Sequence, residues 1–476
     1  MKQIKNKTLL ASVLTDGKGL QVFNPFDNSL IATIPVSCQS RVEQDVLDLD
    51  IGQKVWQKMP AAERCHLLKK WNQLILENED DLARLITLEG GKPLKEALGE
   101  VRYGASFIEW FAEEGRRAYG STIPSPSNDR TLLTVKQAIG VAAAITPWNF
   151  PLAMITRKAA PALAAGCSFI CKPSESTPLT AFAVTELAYQ AGIPKDVLRM
   201  VMGENAHDVG EVFTYHSSVR KFSFTGSTLV GRKLQMQCAS TIKRTSMELG
   251  GNAPFIVFDD ADIDSAIEGA MASKFRNAGQ TCVCANRFYV QDAVYDEFVE
   301  KLVIAVDKLK VGNGLDEDTN IGPLISMEAK QRVLDLIEEA KGRGAKQVNR
   351  EQKLGGQFVA PTVLVDVEHD RPLVQGEIFG PVLPIIRFHD EETMIDMAND
   401  TIYGLASYFY SQDMNRIWRV AHRLEYGMVG VNEGVISTEV APFGGVKQSG
   451  NGREGAKEGL EEYLETKYVC IGGLER

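Results

Sequence analysis

Cysteine is scarce in this chain: eight in 476 residues, at positions 38, 65, 167, 171, 238, 282, 284 and 470. Such scatter is not a disulfide framework and fits a reducing compartment. The six histidines (66, 207, 216, 369, 389 and 422) do not cluster. Cys282-x-Cys284 has no second cysteine pair or histidine cluster beside it, so no zinc site is expected. No segment approaches the roughly 18 uninterrupted apolar residues of a membrane span. The basic start, Met-Lys-Gln-Ile-Lys-Asn-Lys-Thr-Leu-Leu, lacks an apolar core segment and a small-residue cleavage site, and too few residues precede Asp16 for a secretion signal. Net charge is −10, from 52 basic and 62 acidic residues, with no long basic run, which argues against a nucleic-acid partner. Internal repeats and low-complexity tracts are absent as well. The expectation is a cytoplasmic protein with no metal, no nucleic acid and no membrane attachment.

The remaining composition, 44% hydrophobic and 24% charged, can fill real cores, and the length predicts two to three domains. Residues 41–119 are dense in helical periodicity: Leu67, Leu68, Trp71, Leu74 and Ile75, then Leu82, Leu85, Ile86 and Leu88. Gly120, Pro124 and Pro126 break it, and Asp129–Gln137 reads as an exposed strand with Lys136 pointing outward. From Gly140 strands and helices alternate. Val141–Ile145, Ser168–Cys171, Val197–Val201 and Lys221–Phe224 are strand candidates, and Thr180–Gln190 is a helix that stops at Gly192 with Pro194 beyond. A second alternating block, 253–430, begins with the strand Pro254–Phe258 and a helix over Ile263–Phe275, capped by Asp260 or Asp262. Tyr463–Ile471 reads as a terminal strand. Short apolar runs alternating with helices predict an α/β fold of parallel sheets that bind ligands at strand ends.

The chemistry concentrates between Met247 and Arg287. Met-Glu-Leu-Gly-Gly-Asn-Ala-Pro occupies 247–254, and Phe-Arg-Asn-Ala-Gly-Gln-Thr-Cys-Val-Cys-Ala-Asn-Arg occupies 275–287. Cys282 follows Glu248 by 34 positions (282 − 248). Covalent attack on a carbonyl needs a soft nucleophile and a base that later activates water. Turn amides around Cys282 are expected to lower its pKa and to donate to an oxyanion. Asn149, in Thr-Pro-Trp-Asn-Phe-Pro (146–151), falls at the carboxyl end of the Val141–Ile145 strand. Phe-Thr-Gly-Ser-Thr-Leu-Val-Gly (224–231) leads from a strand into a helix whose free amides suit a pyrophosphate, although it is not the G-x-G-x-x-G fingerprint. Lys172-Pro-Ser-Glu175 ends another strand, and Glu377-Ile-Phe-Gly-Pro381 precedes the strand Val382–Ile386.

Nearly end to end, these motifs resemble the aldehyde dehydrogenase superfamily. The resemblance implies two doubly wound α/β domains, a Rossmann-like cofactor domain and a catalytic domain, plus a small β oligomerisation flap. The cofactor domain would comprise 1–120 and 139–250, the catalytic domain 251–450, and the oligomerisation element 121–138 and 451–476, giving a homodimer or homotetramer. Cys282 would be the nucleophile and Glu248 the general base, with Asn149 and the Cys282 amide holding the oxyanion. Trp148, Lys172, Ser174, Glu175, Gly226, Ser227, Leu249, Glu377 and Phe379 would bind the cofactor. Glu175 could accept bonds from both ribose hydroxyls and would repel a 2′-phosphate, which favours NAD and leaves NADP second. Thr-Arg-Lys (156–158), Lys-Phe-Arg-Asn (274–277) and Ile-Ser-Thr-Glu-Val-Ala-Pro (436–442) resemble the succinate-semialdehyde dehydrogenase branch. There Arg157, Arg276 and Ser437 would grip a substrate's distal carboxylate; glutarate semialdehyde, one methylene longer, is the alternative. Cys284 is either a spectator or a redox partner of Cys282. Two readings of other kinds stay open: a cofactor-binding protein without turnover, which would not need Glu248, Cys282 and Asn149, and a cysteine hydrolase, which would need no dinucleotide.

Overall fold

The computed structural model describes residues 3–15 and 17–473; Met1, Lys2, Asp16 and residues 474–476, the end of the expected oligomerisation element, lie outside the described residues. Four helices open the chain after a hairpin of β1 (Leu20–Phe23) and β2 (Leu30–Ile34): α1 (Gln39–Trp56), α2 (Ala61–Glu77), α3 (Glu79–Gly90) and α4 (Leu94–Glu114). A three-stranded antiparallel sheet joins β3 (Ser121–Ile123) and β4 (Arg130–Ala138) to β18 (Leu464–Gly472) at its edge.

The first large sheet has six strands in the order β17 (Gly450–Asn451), β9 (Arg244–Glu248), β8 (Val219–Thr225), β5 (Val141–Ile145), β6 (Ser168–Lys172), β7 (Leu198–Met200). All pairs but β17–β9 are parallel. The strand order reverses between β5 and β8, and ligands of such sheets lie outside the carboxyl ends at that switch point. Side chains alternate between two cores, as a two-residue repeat requires. Ala142, Ala144, Phe169 and Cys171 pack toward α2–α6, while Val141, Ala143 and Ile170 pack toward α1, α7 and α8. The winding helices are α5 (Ala153–Ala165), α6 (Pro178–Ala191), α7 (Ala206–Tyr215) and α8 (Thr228–Ala239).

The second sheet has seven strands in the order β12 (Lys346–Gln347), β13 (Thr362–Val365), β14 (Val382–Phe388), β11 (Ala285–Gln291), β10 (Ala253–Val257), β15 (Ala406–Tyr410), β16 (Met428–Val431). Only β12 runs antiparallel. Helix α9 (Ile263–Phe275) follows β10, and Asp262 caps it by accepting a bond from Ser265 N at 3.1 Å. Four residues, Leu249–Asn252, connect the two large sheets.

Two features differ from the sequence expectation. Lys136 does not point freely outward: it is partly buried and pairs with Glu461 at 2.5 Å. Residues 451–473 do not form one element either. Gly450–Asn451 closes the first sheet, the short helix Ala456–Glu461 packs on α4 and α5, and only 464–472 joins the three-stranded sheet. Among the described residues no helix is long and apolar enough to cross a membrane.

Helix α4 lies against α5 through Gly104, where an added Cβ would approach Leu152 Cδ2 to 2.1 Å and Ala153 Cα to 3.2 Å. Gly104→Val should therefore destabilise the protein by about 1–3 kcal/mol through overpacking. A urea titration checks this; an unchanged midpoint would refute the contact.

Candidate active site

The loop that carries Cys282 begins where α9 stops. Asn277, Ala278 and Gly279 take left-handed backbone angles in succession (φ 50°, 55° and 76°). Such angles cost non-glycine residues roughly 1–2 kcal/mol each, so surrounding bonds must impose them. Asn277 N donates to Glu96 Oε2 at 2.6 Å, and Gln280 Nε2 donates back to the Asn277 carbonyl at 3.0 Å. Gln280 Oε1 accepts from Ile325 N at 3.0 Å. Gly279 has no alternative, because a Cβ there would lie 2.3 Å from the Gly380 carbonyl oxygen.

Cys282 is half-buried at the end of this loop. Burial pushes its thiol up to about 12; Arg157 and Arg276 draw it down, while Glu377 and Glu248 raise it. The lowering expected from turn amides is therefore not found: burial, with Glu377 and Glu248 behind it, outweighs the two arginines. Cys284 is buried, and its thiol donates to the carbonyls of Ala285 at 3.3 Å and Lys274 at 3.6 Å. Both cysteines are free thiols.

Glu248 ends β9 and is buried, with neither carboxyl oxygen hydrogen-bonded to protein. Burial first, then the charge of Glu454, raises its pKa well above the carboxylate range; Arg157, Lys158 and Arg453 pull the other way. Glu454 itself forms ion pairs with Arg157 and Lys158, all three being buried. Burial opposes its charge, but those two cations hold it below the ordinary range. The Arg157 guanidinium also stacks over Phe443 at 4.1 Å.

The glycine pair after Glu248 has a steric reason. A Cβ on Gly251 would sit 2.2 Å from the Cys282 carbonyl oxygen, and one on Gly250 would lie 3.0 Å from the Tyr403 ring and 3.1 Å from Glu377 Oε2. Gly251 N donates to Glu377 Oε1 at 3.1 Å. Burial raises the Glu377 carboxyl to about 7.

Asn149 stands in the turn between β5 and α5 and donates through Nδ2 to the Gln280 carbonyl at 3.0 Å, which leaves one amide hydrogen over. Its Oδ1 has no protein partner. Asn149, Glu248 and Cys282 line a single cavity of about 340 Å³, together with Trp148, Gly226, Ser227, Leu249, Glu377 and Phe379. Trp148 meets the Phe379 ring edge-on at 5.6 Å. Ser227 caps α8, accepting from Val230 N at 3.4 Å. A neighbouring cavity of about 230 Å³ lies between α7 and α8, lined by Lys172, His207, Gly210, Phe224, Val230 and Leu234. Two cavities flanking the start of α8 suit a dinucleotide, whose two ring ends are joined by a pyrophosphate. Lys172 pairs with Glu175 at 2.5 Å, and Ser174 Oγ accepts from Ser176 N at 3.2 Å in the same exposed turn.

Arg276 and Ser437 line a third cavity, of about 240 Å³, with Lys92, Glu96, Tyr103 and Phe150. Arg157 is not among its walls, because its guanidinium is drawn to Glu454. A further cavity, of about 410 Å³, lies between β1, Glu175 and Ser326; it contains neither Cys282 nor Glu248 and meets the Lys172 turn only through Glu175 and Ser176. Among the described residues no group of three or more His, Cys, Asp or Glu side chains is arranged to hold a metal ion. Lys92, Glu96, Glu100, Asn277, Gln280 and Glu454 are site-supporting residues that sequence reasoning missed; Gly91-Lys92-Pro93, a polar break between two apolar helices, was the one local signal.

The model of the family described as aldehyde dehydrogenase matches residues 13–469. The chain is 56% identical to a glutarate-semialdehyde dehydrogenase of Pseudomonas putida over 456 residues, 96% of this chain and 95% of that one. It is 54% identical to the succinate-semialdehyde dehydrogenase [NADP(+)] of Escherichia coli, with coverage of 96% and 95%. Among solved structures, an aldehyde dehydrogenase from Brucella melitensis biovar abortus is similar, with TM-score 0.98 and 54% identity over 100% of both chains. So is a succinate-semialdehyde dehydrogenase from Burkholderia pseudomallei, with TM-score 0.96, 49% identity and coverage of 98% and 99%.

The pKa of Cys282 generates a direct test. Only the thiolate alkylates, so its fraction should rise about tenfold per pH unit well below a pKa of about 12. In the cofactor-free protein, iodoacetamide labelling of the Cys282 peptide, followed by mass spectrometry, should climb steadily from pH 7 to 9. A plateau inside that window would mean a stabilised thiolate.

Proposed function

The chain belongs to the aldehyde dehydrogenase family, and from that premise we propose that it oxidises succinate semialdehyde to succinate in the cytoplasm, with NAD preferred over NADP. The observation that carries the substrate is the cavity lined by Arg276 and Ser437, which offers a guanidinium and a hydroxyl to a carboxylate next to the nucleophile loop. Arg157 adds positive charge behind it while Glu454 holds its guanidinium. Glutarate semialdehyde is the second reading, favoured by the Pseudomonas relative's name. One methylene is worth only about 1–3 kcal/mol in discrimination.

The reaction uses the chain's own groups in two halves. Cys282 loses its thiol proton to solvent as the sulfur bonds to the aldehyde carbon. The resulting oxyanion rests on the spare Asn149 amide hydrogen and the Cys282 backbone N–H. Hydride acceptance is the chemistry that a nicotinamide dinucleotide supplies there when bound. A thioester on Cys282 remains. Glu248 takes a proton from water, the hydroxyl attacks the thioester carbon, the carbon–sulfur bond breaks, and the proton on Glu248 passes to the leaving sulfur, which releases the acid and restores thiol and base. Trp148, Leu249, Glu377 and Phe379 border the cavity where the nicotinamide end would sit, and Gly226 and Ser227 open the helix that would face the pyrophosphate. Lys172, Ser174 and Glu175 would meet the adenosine ribose. Glu175 supports NAD because its carboxylate would repel a 2′-phosphate; the NADP(+) in the Escherichia coli relative's name makes this a point for measurement. Cys284, whose thiol already donates to two carbonyls, is a spectator in this reading. Among the described residues no strand pairs with the outer edge of β18, which supports a homodimer or homotetramer built by strand pairing.

NADH or NADPH formation with succinate semialdehyde, glutarate semialdehyde and a neutral aldehyde tests the proposal. The expected order of kcat/KM is succinate semialdehyde first, with NAD above NADP. Arg276→Ala should cut the carboxylated substrates about 10- to 100-fold more than the neutral one, the loss of one charge-assisted hydrogen bond. Equal losses would refute the carboxylate site. Glu248→Gln should leave a first burst of NADH under pre-steady-state conditions and slow later turnovers. No burst would mean that Glu248 is needed before hydride transfer as well.

A further inference from the structure

We propose that Lys92 is a positioning residue for the oxyanion site, an ammonium brace that fixes Asn149 against the nucleophile loop. This rests on the role given to Asn149 above. Lys92 belongs to neither large sheet; it stands in the break between α3 and α4, 57 residues before the asparagine it touches. Its side chain is buried and bonds twice: to Glu100 Oε2 at 2.5 Å and to the Asn149 carbonyl at 2.7 Å. The ammonium also lies 4.0 Å over the Phe150 ring.

The Asn149 carbonyl accepts a second bond, from Asn277 Nδ2 at 3.2 Å, so both of its lone pairs are engaged. Asn277 Nδ2 and Asn149 Nδ2 converge on the Gln280 carbonyl, at 3.3 and 3.0 Å. The main chain and the side chain of Asn149 are thus tied to the same loop, two residues ahead of Cys282. Glu100 completes the brace by accepting from Leu152 N at 2.9 Å and Ala153 N at 3.4 Å, which pins the start of α5. Lys92 therefore locks the turn on its carbonyl side while Glu100 locks it on its amide side. A charged donor held in a dry site is a stiff constraint, and an oxyanion donor loses much of its effect when it shifts by about 1 Å.

Removing Lys92 alone would strand the buried Glu100 carboxylate and threaten folding. The informative variant is the neutral pair Lys92→Met with Glu100→Gln, in which the glutamine oxygen still accepts from α5. We expect kcat to fall about 10- to 100-fold for carboxylated and neutral aldehydes alike, with any extra loss for the carboxylated ones confined to KM, because Lys92 and Glu100 also line the Arg276 cavity. Cofactor-independent hydrolysis of p-nitrophenyl acetate, which needs the same oxyanion site, should fall in parallel. NAD affinity by calorimetry and the Cys282 alkylation rate should stay within about twofold, because neither depends on Asn149. Adding Asn149→Ala to the pair should cost no more than Asn149→Ala alone, since Lys92 acts through Asn149.

A loss confined to carboxylated aldehydes would make Lys92 a substrate ligand and overturn the proposal. So would additive losses, a parallel fall in alkylation and NAD affinity, or a pair variant with undiminished kcat beside an impaired Asn149→Ala enzyme. If Asn149→Ala itself is silent, the oxyanion role of Asn149 fails and the brace falls with it.

Discussion

Everything in the site depends on one close approach: the backbone of Gly251 against the carbonyl of Cys282. The two large sheets are joined only four residues after β9 ends, and at that seam an added Cβ would lie 2.2 Å from the oxygen. Glycine removes the obstacle, and the seam closes until Glu248 from one sheet and Cys282 from the other face one cavity. The Glu377 carboxyl then reaches the Gly251 amide and borders the same space. A side chain at 251 would wedge the sheets apart and separate the nucleophile from its base, with no catalytic group itself altered.

Buried charge is the second organising element. Lys92 with Glu100, and Arg157 and Lys158 with Glu454, are ions taken out of water. Such groups are a poor source of stability, since desolvation offsets much of their attraction. Their value here is positional. One pair fixes the turn that carries Asn149, and the triad places a compensated negative charge near Glu248, where it raises that carboxyl. The site combines left-handed backbone at 277–279 with charges that are costly to bury, as strained functional sites commonly do.

The sequence was most legible where local pattern decides structure. Val141–Ile145 and Ile263–Phe275 appear with the expected boundaries, and Asp262 caps the helix. The helix ending at Gly192 begins only two residues before its expected start. β9 escaped notice because Arg-Thr-Ser-Met-Glu has no apolar run; it is a strand through pairing with β8 and β17. Nine residues that the motifs point to line the 340 Å³ cavity, whereas Met154 and Arg332 of the same wall belong to no motif and Lys172, Ser174 and Glu175 lie outside it. What surrounds them was invisible, because the contact of Lys92 with Asn149, or of Glu454 with Arg157, spans tens to hundreds of residues and leaves no local signature. The thiol pKa is illegible for the same reason: turn amides can be inferred from Gly-Gln-Thr, whereas desolvation and the facing carboxyls cannot.

The pairing of Gly450 with Glu248 gives the chain a schedule as well as a shape. Gly450 adopts a backbone angle of 132°, and a Cβ there would lie 1.7 Å from the Met247 carbonyl oxygen, so β17 seals the edge of β9 tightly. A ribosome delivers this seal 202 residues (450 − 248) after the strand it covers. At about 5–20 residues per second the interval is on the order of 10–40 s. Throughout it Cys282 emerges and folds beside an open strand edge, and Arg157 and Lys158 wait for the counter-charge that Glu454 brings. A half-made chain therefore carries a thiol without an armed base, and the site is complete only once residues 450–454 have been made.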